Sequence, residues 1–158
     1  MTEPRLTHVR PDGSAHMVDV SNKDVTVRSA TAVGRVLLSN AAVAALRGGN
    51  VPKGDALAVA RIAGIQAAKR TPDLIPLAHP IGVHGVQVDL VVVDDGVDLT
   101  ATVRTADRTG VEMEALTAVS VGALALIDMV KAVDKHARIM DVRVTAKSGG
   151  RSGDWVES

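Results

Sequence analysis

The chain has 158 residues, with 18 basic and 18 acidic side chains, 46% hydrophobic and 23% charged residues, no cysteine, no phenylalanine or tyrosine and one tryptophan. This length and composition fit one globular domain; the charge balance argues against a general nucleic-acid binder or a membrane-surface protein, and the lack of cysteine excludes a disulfide framework and a thiolate metal site. No uninterrupted apolar run reaches the ~18 residues of a membrane span, and the first residues lack the apolar stretch of a signal peptide, so a cytoplasmic location is expected.

Residues 1–24 are polar, with Pro11-Asp12-Gly13 as a turn signal, and read as an N-terminal arm suited to docking on a neighbour. Residues 25–38 are rich in β-branched residues in rough alternation, which predicts a strand. Ser39 and Asn40 are helix-capping types, and the alanine-rich run after them predicts a short helix stopped by Gly48-Gly49. Asp55 caps a second, longer helix ending near Lys69-Arg70, whose charges complement its carbonyl end. Lys53 stands just before it, where free backbone N–H groups and an ammonium together suit an anion. The plain alternative for Lys53 is a solvated loop lysine.

Pro72, Pro76 and Pro80 then forbid a regular helix. His79 precedes Pro80, so its backbone is pushed to an extended shape, as a ligand, a proton-transfer group or only a packing residue. Val86, Val88, Leu90 and Val92 alternate with Gln87 and Asp89, Val97, Leu99, Ala101 and Val103 alternate with Asp98, Thr100, Thr102 and Arg104, and Asp94-Asp95-Gly96 between the two runs marks a hairpin. Thr109 and Glu112 have the spacing of a capping box that starts a helix from about 111 to about 135. A last strand is expected over 138–147. The tail from 148 to 158 is Gly/Ser-rich, reads as flexible, and lacks phosphate-loop spacing; Lys147 and Arg151 could contact an anion if it orders. The order βαββαβ predicts an α+β, ferredoxin-like domain over 25–147, one antiparallel sheet with helices on one face.

At ~100° per residue, Glu114, Thr117, Asp128 and Lys131 share one stripe of the long helix, interrupted by Val121, Leu124 and Ile127. Between Val121 and Ile127 the helix is apolar or glycine all round, which calls for cover on every side. A core without large aromatics gains less area per side chain, so cover by a second copy is expected. Asp128 and Lys131, three residues apart, are either an ordinary ion pair or an acid–base pair at the edge of that covered patch. Glu114 and Asp128 are fourteen residues apart, ~21 Å along the axis. One small substrate could meet both only if they came from different copies.

The segments 53–80 (KGDALAVARIAGIQAAKRTPDLIPLAHP), 109–116 (TGVEMEAL), 128–133 (DMVKAV), 146–150 (AKSGG) and 16–21 (HMVDVS) resemble the cyclic pyranopterin monophosphate synthase family, the C protein of molybdenum cofactor biosynthesis. The resemblance spans nearly the whole chain in order. It implies a ferredoxin-like fold, a hexamer built as a trimer of dimers, and active sites between subunits. It implies a lyase-type reaction on the cyclised dihydro-GTP made by a partner radical S-adenosylmethionine enzyme, giving the cyclic pyranopterin and pyrophosphate. No cofactor is required, and Mg²⁺ with the triphosphate is left open. By resemblance Asp128 is the acid–base residue, with Lys131 beside it and Lys53 also catalytic. Leu77, Ala78, His79, Glu112, Met113, Glu114, Lys147 and Arg28 fall on substrate-binding positions. Ala78 stands where relatives often carry cysteine, Ile127 where tyrosine is frequent and Pro72 where an aromatic is common. The rival reading is a non-catalytic, oligomeric, ferredoxin-like nucleotide-binding or regulatory module.

Overall fold

A computed structural model describes residues 6–158. Strand β1 (Thr26–Leu37) is followed by helices α1 (Asn40–Gly48), α2 (Ala56–Lys69) and α3 (Thr71–Leu74), strands β2 (Val83–Val93) and β3 (Gly96–Asp107), helix α4 (Glu112–Val130), and strands β4 (Arg138–Ser148) and β5 (Trp155–Val156). The sheet order is β2-β3-β1-β4-β5, and every pairing is antiparallel. The first four strands and α2 and α4 form the expected ferredoxin-like βαββαβ unit. Arg28, Ala30, Ala32, Gly34 and Val36 of β1 face the helices, and the residues between them face the other way, as the two-residue strand period requires. Leu99, Val97, Val103, Val119 and Leu126 are fully buried between sheet and helices.

The local signals hold in most places. Ser39 caps α1 by accepting from the Ala42 N–H at 3.2 Å, and Gly49 closes that helix in the left-handed conformation. Asp55 caps α2 by accepting from the Ala58 N–H at 3.1 Å. The β2–β3 hairpin turns at Asp94-Asp95, and Gly96 lies where β1's Val36 carbonyl leaves no room for a side chain.

Three expectations are corrected. First, Thr109 does not cap α4: the helix begins at Glu112 after Val111, with no side-chain cap, so Glu112 stands in the first turn with its carboxylate not spent on capping. Second, α4 stops at Val130, not near Lys135. The Lys131, Val133 and Asp134 N–H groups close its last carbonyls, and the carboxylate of buried Asp134 then accepts from the Ser39 and His136 N–H groups at 2.6 and 2.8 Å. That carboxylate ties the turn to the start of α1, and the chain leaves the helix axis. Third, the proline-rich segment does hold one helical turn, α3, because Pro72 sits at its start, where no N–H is needed. By length and composition α4 is apolar enough to cross a membrane, with a mean hydropathy of 1.7 despite its acidic residues. It is instead the central helix of the core, packed on β1, β3, β4 and α2.

Within the single chain α4 is not covered on every side. Gly122, Ala123 and Leu126 are buried, but Leu124 is 57% exposed, and α2 exposes Val59 and Ile62 on its outer face. Where the tail was read as flexible, the chain turns through three left-handed glycines, and Trp155–Val156 pair with β4.

Helices α2 and α4 approach closely at Gly64 and Gly122. A Cβ on Gly64 would lie 2.9 Å from the Ala118 carbonyl, and one on Gly122 would lie 3.3 Å from the Ala60 carbonyl. Gly64→Val should therefore destabilise the protein by about 1–3 kcal/mol despite its lower backbone entropy, measured by urea denaturation. An unchanged midpoint would show that the two helices can part without cost.

Candidate active site

The predicted site residues fall into two groups at opposite ends of α4. At its carboxyl end, Asp128 and Lys131 lie on one face, three residues apart, with Lys131 Nζ 2.7 Å from Oδ1. Lys53 arrives from the turn before α2, where Gly54 takes a left-handed φ of 109° and its N–H donates to the Val51 carbonyl. Its Nζ is 3.1 Å from both Asp128 oxygens. One carboxylate is thus held between two ammonium groups. The Lys131 hydrogen bond, followed by that of Lys53, keeps the Asp128 carboxyl below its ordinary range, hence ionised.

The group carries one net positive charge and offers an anion a ready seat. It is also open: Lys53, Asp128 and Lys131 side chains are 43%, 55% and 59% exposed. The desolvation that would tune these groups for proton transfer is not supplied by this chain alone.

At the amino end of α4 the chain forms a cavity of about 390 Å³. Leu77, Ala78 and His79 come from the loop before β2, where Pro76 and Pro80 stiffen the backbone. Glu112, Met113 and Glu114 come from the first helical turn. His79 is held from the side: its Nε2 donates to the Val18 carbonyl. Glu112 faces Lys147 Nζ at 3.4 Å. Glu114 is only 3% exposed. Burial pushes its carboxyl up to about 7, its own backbone N–H opposes this, and the Glu112 charge adds to the rise. A carboxyl that changes charge near neutrality can accept, hold or return a proton.

Arg28 and Lys147 stand outside the cavity wall. Arg28 is 8% exposed, its Nε lacks a partner among the described residues, and its guanidinium packs against Gly150, which holds a left-handed φ of 76°. Lys147 also donates to Ser152 Oγ at 3.2 Å. Among the described residues no three His, Asp or Glu side chains gather to hold a metal ion.

Sequence reasoning missed part of the cavity. Thr7, His8, Val18, Val20 and Lys23 form one wall, so the N-terminal segment folds over its own chain. The 16–21 motif hinted at Val18 and Val20. No periodicity or cap signalled Thr7 and His8.

Glu114 has a consequence for stability. Its folded pKa, about 7, is above the ordinary 4.5, so between these values the folded state binds the proton more tightly than the unfolded one. That contribution is present below about 4.5 and is lost as pH rises through about 7. Denaturant midpoints of wild type should fall between pH 5 and pH 7.5 more steeply than those of Glu114→Gln. Parallel profiles would mean that Glu114 ionises normally.

The matches to known proteins cover both ends of α4. The MoaC family model matches residues 17–150, a span that holds Arg28, Lys53, Leu77–His79, Glu112–Glu114, Asp128, Lys131 and Lys147. The cyclic pyranopterin monophosphate synthase of Streptomyces coelicolor is 68% identical over 156 residues, covering 99% of this chain and 92% of that protein. The protein of the same name from Streptomyces griseus is 70% identical over 154 residues, covering 98% of this chain and 87% of that protein. That of Corynebacterium glutamicum strain R is 57% identical over 151 residues, covering 96% and 97%. With the fold, the lysine–aspartate–lysine group and the acidic helix start all inside the matched span, this chain belongs to the MoaC family.

Proposed function

We propose that this protein is a cyclic pyranopterin monophosphate synthase of molybdenum cofactor biosynthesis. It would convert the cyclised dihydro-GTP, (8S)-3',8-cyclo-7,8-dihydroguanosine 5'-triphosphate, to cyclic pyranopterin monophosphate and pyrophosphate. The observation that carries the reading is Asp128 clamped between Lys53 and Lys131 in a chain that matches the family from residue 17 to residue 150.

The roles follow from charge and place. The substrate ring must be opened by water and reclosed, which needs several proton transfers. Asp128, Lys131 and Lys53 are the catalytic groups. The lysines hold the triphosphate and stabilise the departing pyrophosphate, and Asp128 exchanges protons with the substrate once its partners turn to the phosphates. Glu112 and Glu114 accept hydrogen bonds from the amino and imino groups of the ring. Leu77, Ala78, Met113 and His79 wall that ring, while Arg28 and Lys147 add positive charge nearby. The reaction, a phosphorus–oxygen lyase type, requires no cofactor, and any Mg²⁺ would arrive with the triphosphate.

The two groups of residues lie too far apart along α4 for one small molecule to span within a single chain, ~21 Å for the fourteen residues from Glu114 to Asp128. The reading therefore includes a homo-oligomer, a hexamer as a trimer of dimers. In it the amino-terminal cavity of one copy meets the lysine–aspartate–lysine group of another. Exposed Val59, Ile62 and Leu124 on the outer helical faces support burial against a partner. The enzyme would work in the cytoplasm on the product of a radical S-adenosylmethionine enzyme, without nucleic acid or membrane.

Wild-type protein given the cyclised dihydro-GTP should release pyrophosphate and the cyclic pyranopterin. Asp128→Asn should lower kcat by about 10²–10⁴-fold with substrate affinity largely kept, and Lys53→Ala should lose both rate and affinity. Nucleotide binding without turnover in folded wild type would favour the regulatory module instead. Neither a Lys131→Ala nor a Glu114→Ala homo-oligomer should turn over, whereas mixing the two should restore part of the rate. No restoration in exchanged oligomers would refute a site shared between copies.

A further inference from the structure

The wall that the N-terminal segment adds to the cavity is a built element. Residues 6–16 fold into a small hairpin around Pro11-Asp12-Gly13. Val9 and Ala15 form a bridge, and the His16 N–H donates to the His8 carbonyl at 2.9 Å. The Arg10 N–H donates to Ser14 and the Gly13 N–H to Arg10, each at 2.9 Å. The Asp12 carboxylate accepts from the Ser14 N–H and Oγ at 2.9 and 2.6 Å.

His8 sits where this hairpin meets the cavity. Its Nδ1 lies 3.3 Å from the His16 carbonyl. A carbonyl only accepts, so the bond places the ring proton on Nδ1 and leaves the lone pair of the neutral ring on Nε2. Nε2 has no partner among the described residues. The imidazole borders the same cavity as Glu112 and Glu114 and the apolar Leu77, Ala78 and Met113. Three acceptors and apolar lining residues suit a heterocycle whose edge is rich in N–H donors, and the ring of a reduced guanine is of that kind.

We propose that His8 is a substrate-contacting, specificity-determining residue. Its Nε2 accepts a hydrogen bond from the N–H edge of the substrate ring, and the hairpin of residues 6–16 holds it there by the Nδ1 bond to His16. The proposal rests on the synthase reading above.

Two variants separate the ring's two nitrogens. In His8→Asn the amide N–H stands where Nδ1 was and keeps the bond to His16, but Nε2 is lost. In His8→Gln the amide reaches the place of Nε2. With cyclised dihydro-GTP, His8→Asn should raise KM about tenfold with kcat within about threefold of wild type and an unchanged melting temperature. His8→Gln should recover most of that loss. A KM within twofold of wild type in His8→Asn overturns the proposal, as does an equal loss in both variants, which would make His8 only a hairpin residue. Wild type that converts no substrate would fail the synthase reading itself, an outcome separate from either.

Discussion

The close approach of α2 and α4 is the constraint on which the rest of the molecule depends. Gly64 and Gly122 let the two backbones come within reach of each other's carbonyls, and both helices then seat on the same face of the sheet. Because α2 is fixed against α4, the turn that precedes it is fixed too, and Lys53 lands on Asp128 across 75 residues of sequence. Asp134 works towards the same end. It binds the end of α4 to the start of α1, the element that leads into the Lys53 turn. The geometry of the lysine–aspartate–lysine group is therefore a result of helix packing more than of ion pairing. Half-exposed lysine–carboxylate pairs contribute too little to hold a backbone in place.

Two electrostatic regimes sit on one helix. At the carboxyl end of α4, Asp128 is open to solvent and held ionised by two ammonium groups. At the amino end, Glu114 is buried and its carboxyl is pushed up to about 7. One end favours fixed charge, the other favours proton exchange. In the oligomer proposed above, a second copy would join them, remove water from the open end and strengthen each charge interaction there. The exposed Leu124, in the middle of the most apolar stretch of α4, gives that second copy an apolar surface to cover.

Some errors of reading share a cause. Thr109 and Glu112 have capping-box spacing, yet the helix starts later, and Glu112 faces Lys147, a residue from the far edge of the sequence. The expected continuation of α4 to Lys135 fails because Asp134 finds stronger partners in the N–H groups of Ser39 and His136 than exposure on another helical turn would provide. The N-terminal arm, polar and without period, carried no sign that His8 would border the cavity. In each case a long-range contact decided between local alternatives of similar energy.

The residue pattern alone determined the four long strands, β1 to β4, because an alternation of apolar and polar side chains has one stable solution beside a core, and it determined the caps of α1 and α2, which are bonds between near neighbours. It also carried the family resemblance and, with it, the identities of Asp128, Lys131, Lys53 and the residues around Glu114. Only the tertiary structure decided that Lys53 and Lys131 grip the same carboxylate, that Glu114 is buried while Asp128 is open, and that Thr7, His8, Val18, Val20 and Lys23 wall the cavity. Those facts depend on desolvation and on distances between segments far apart in the chain, and neither is encoded in any local run of residues.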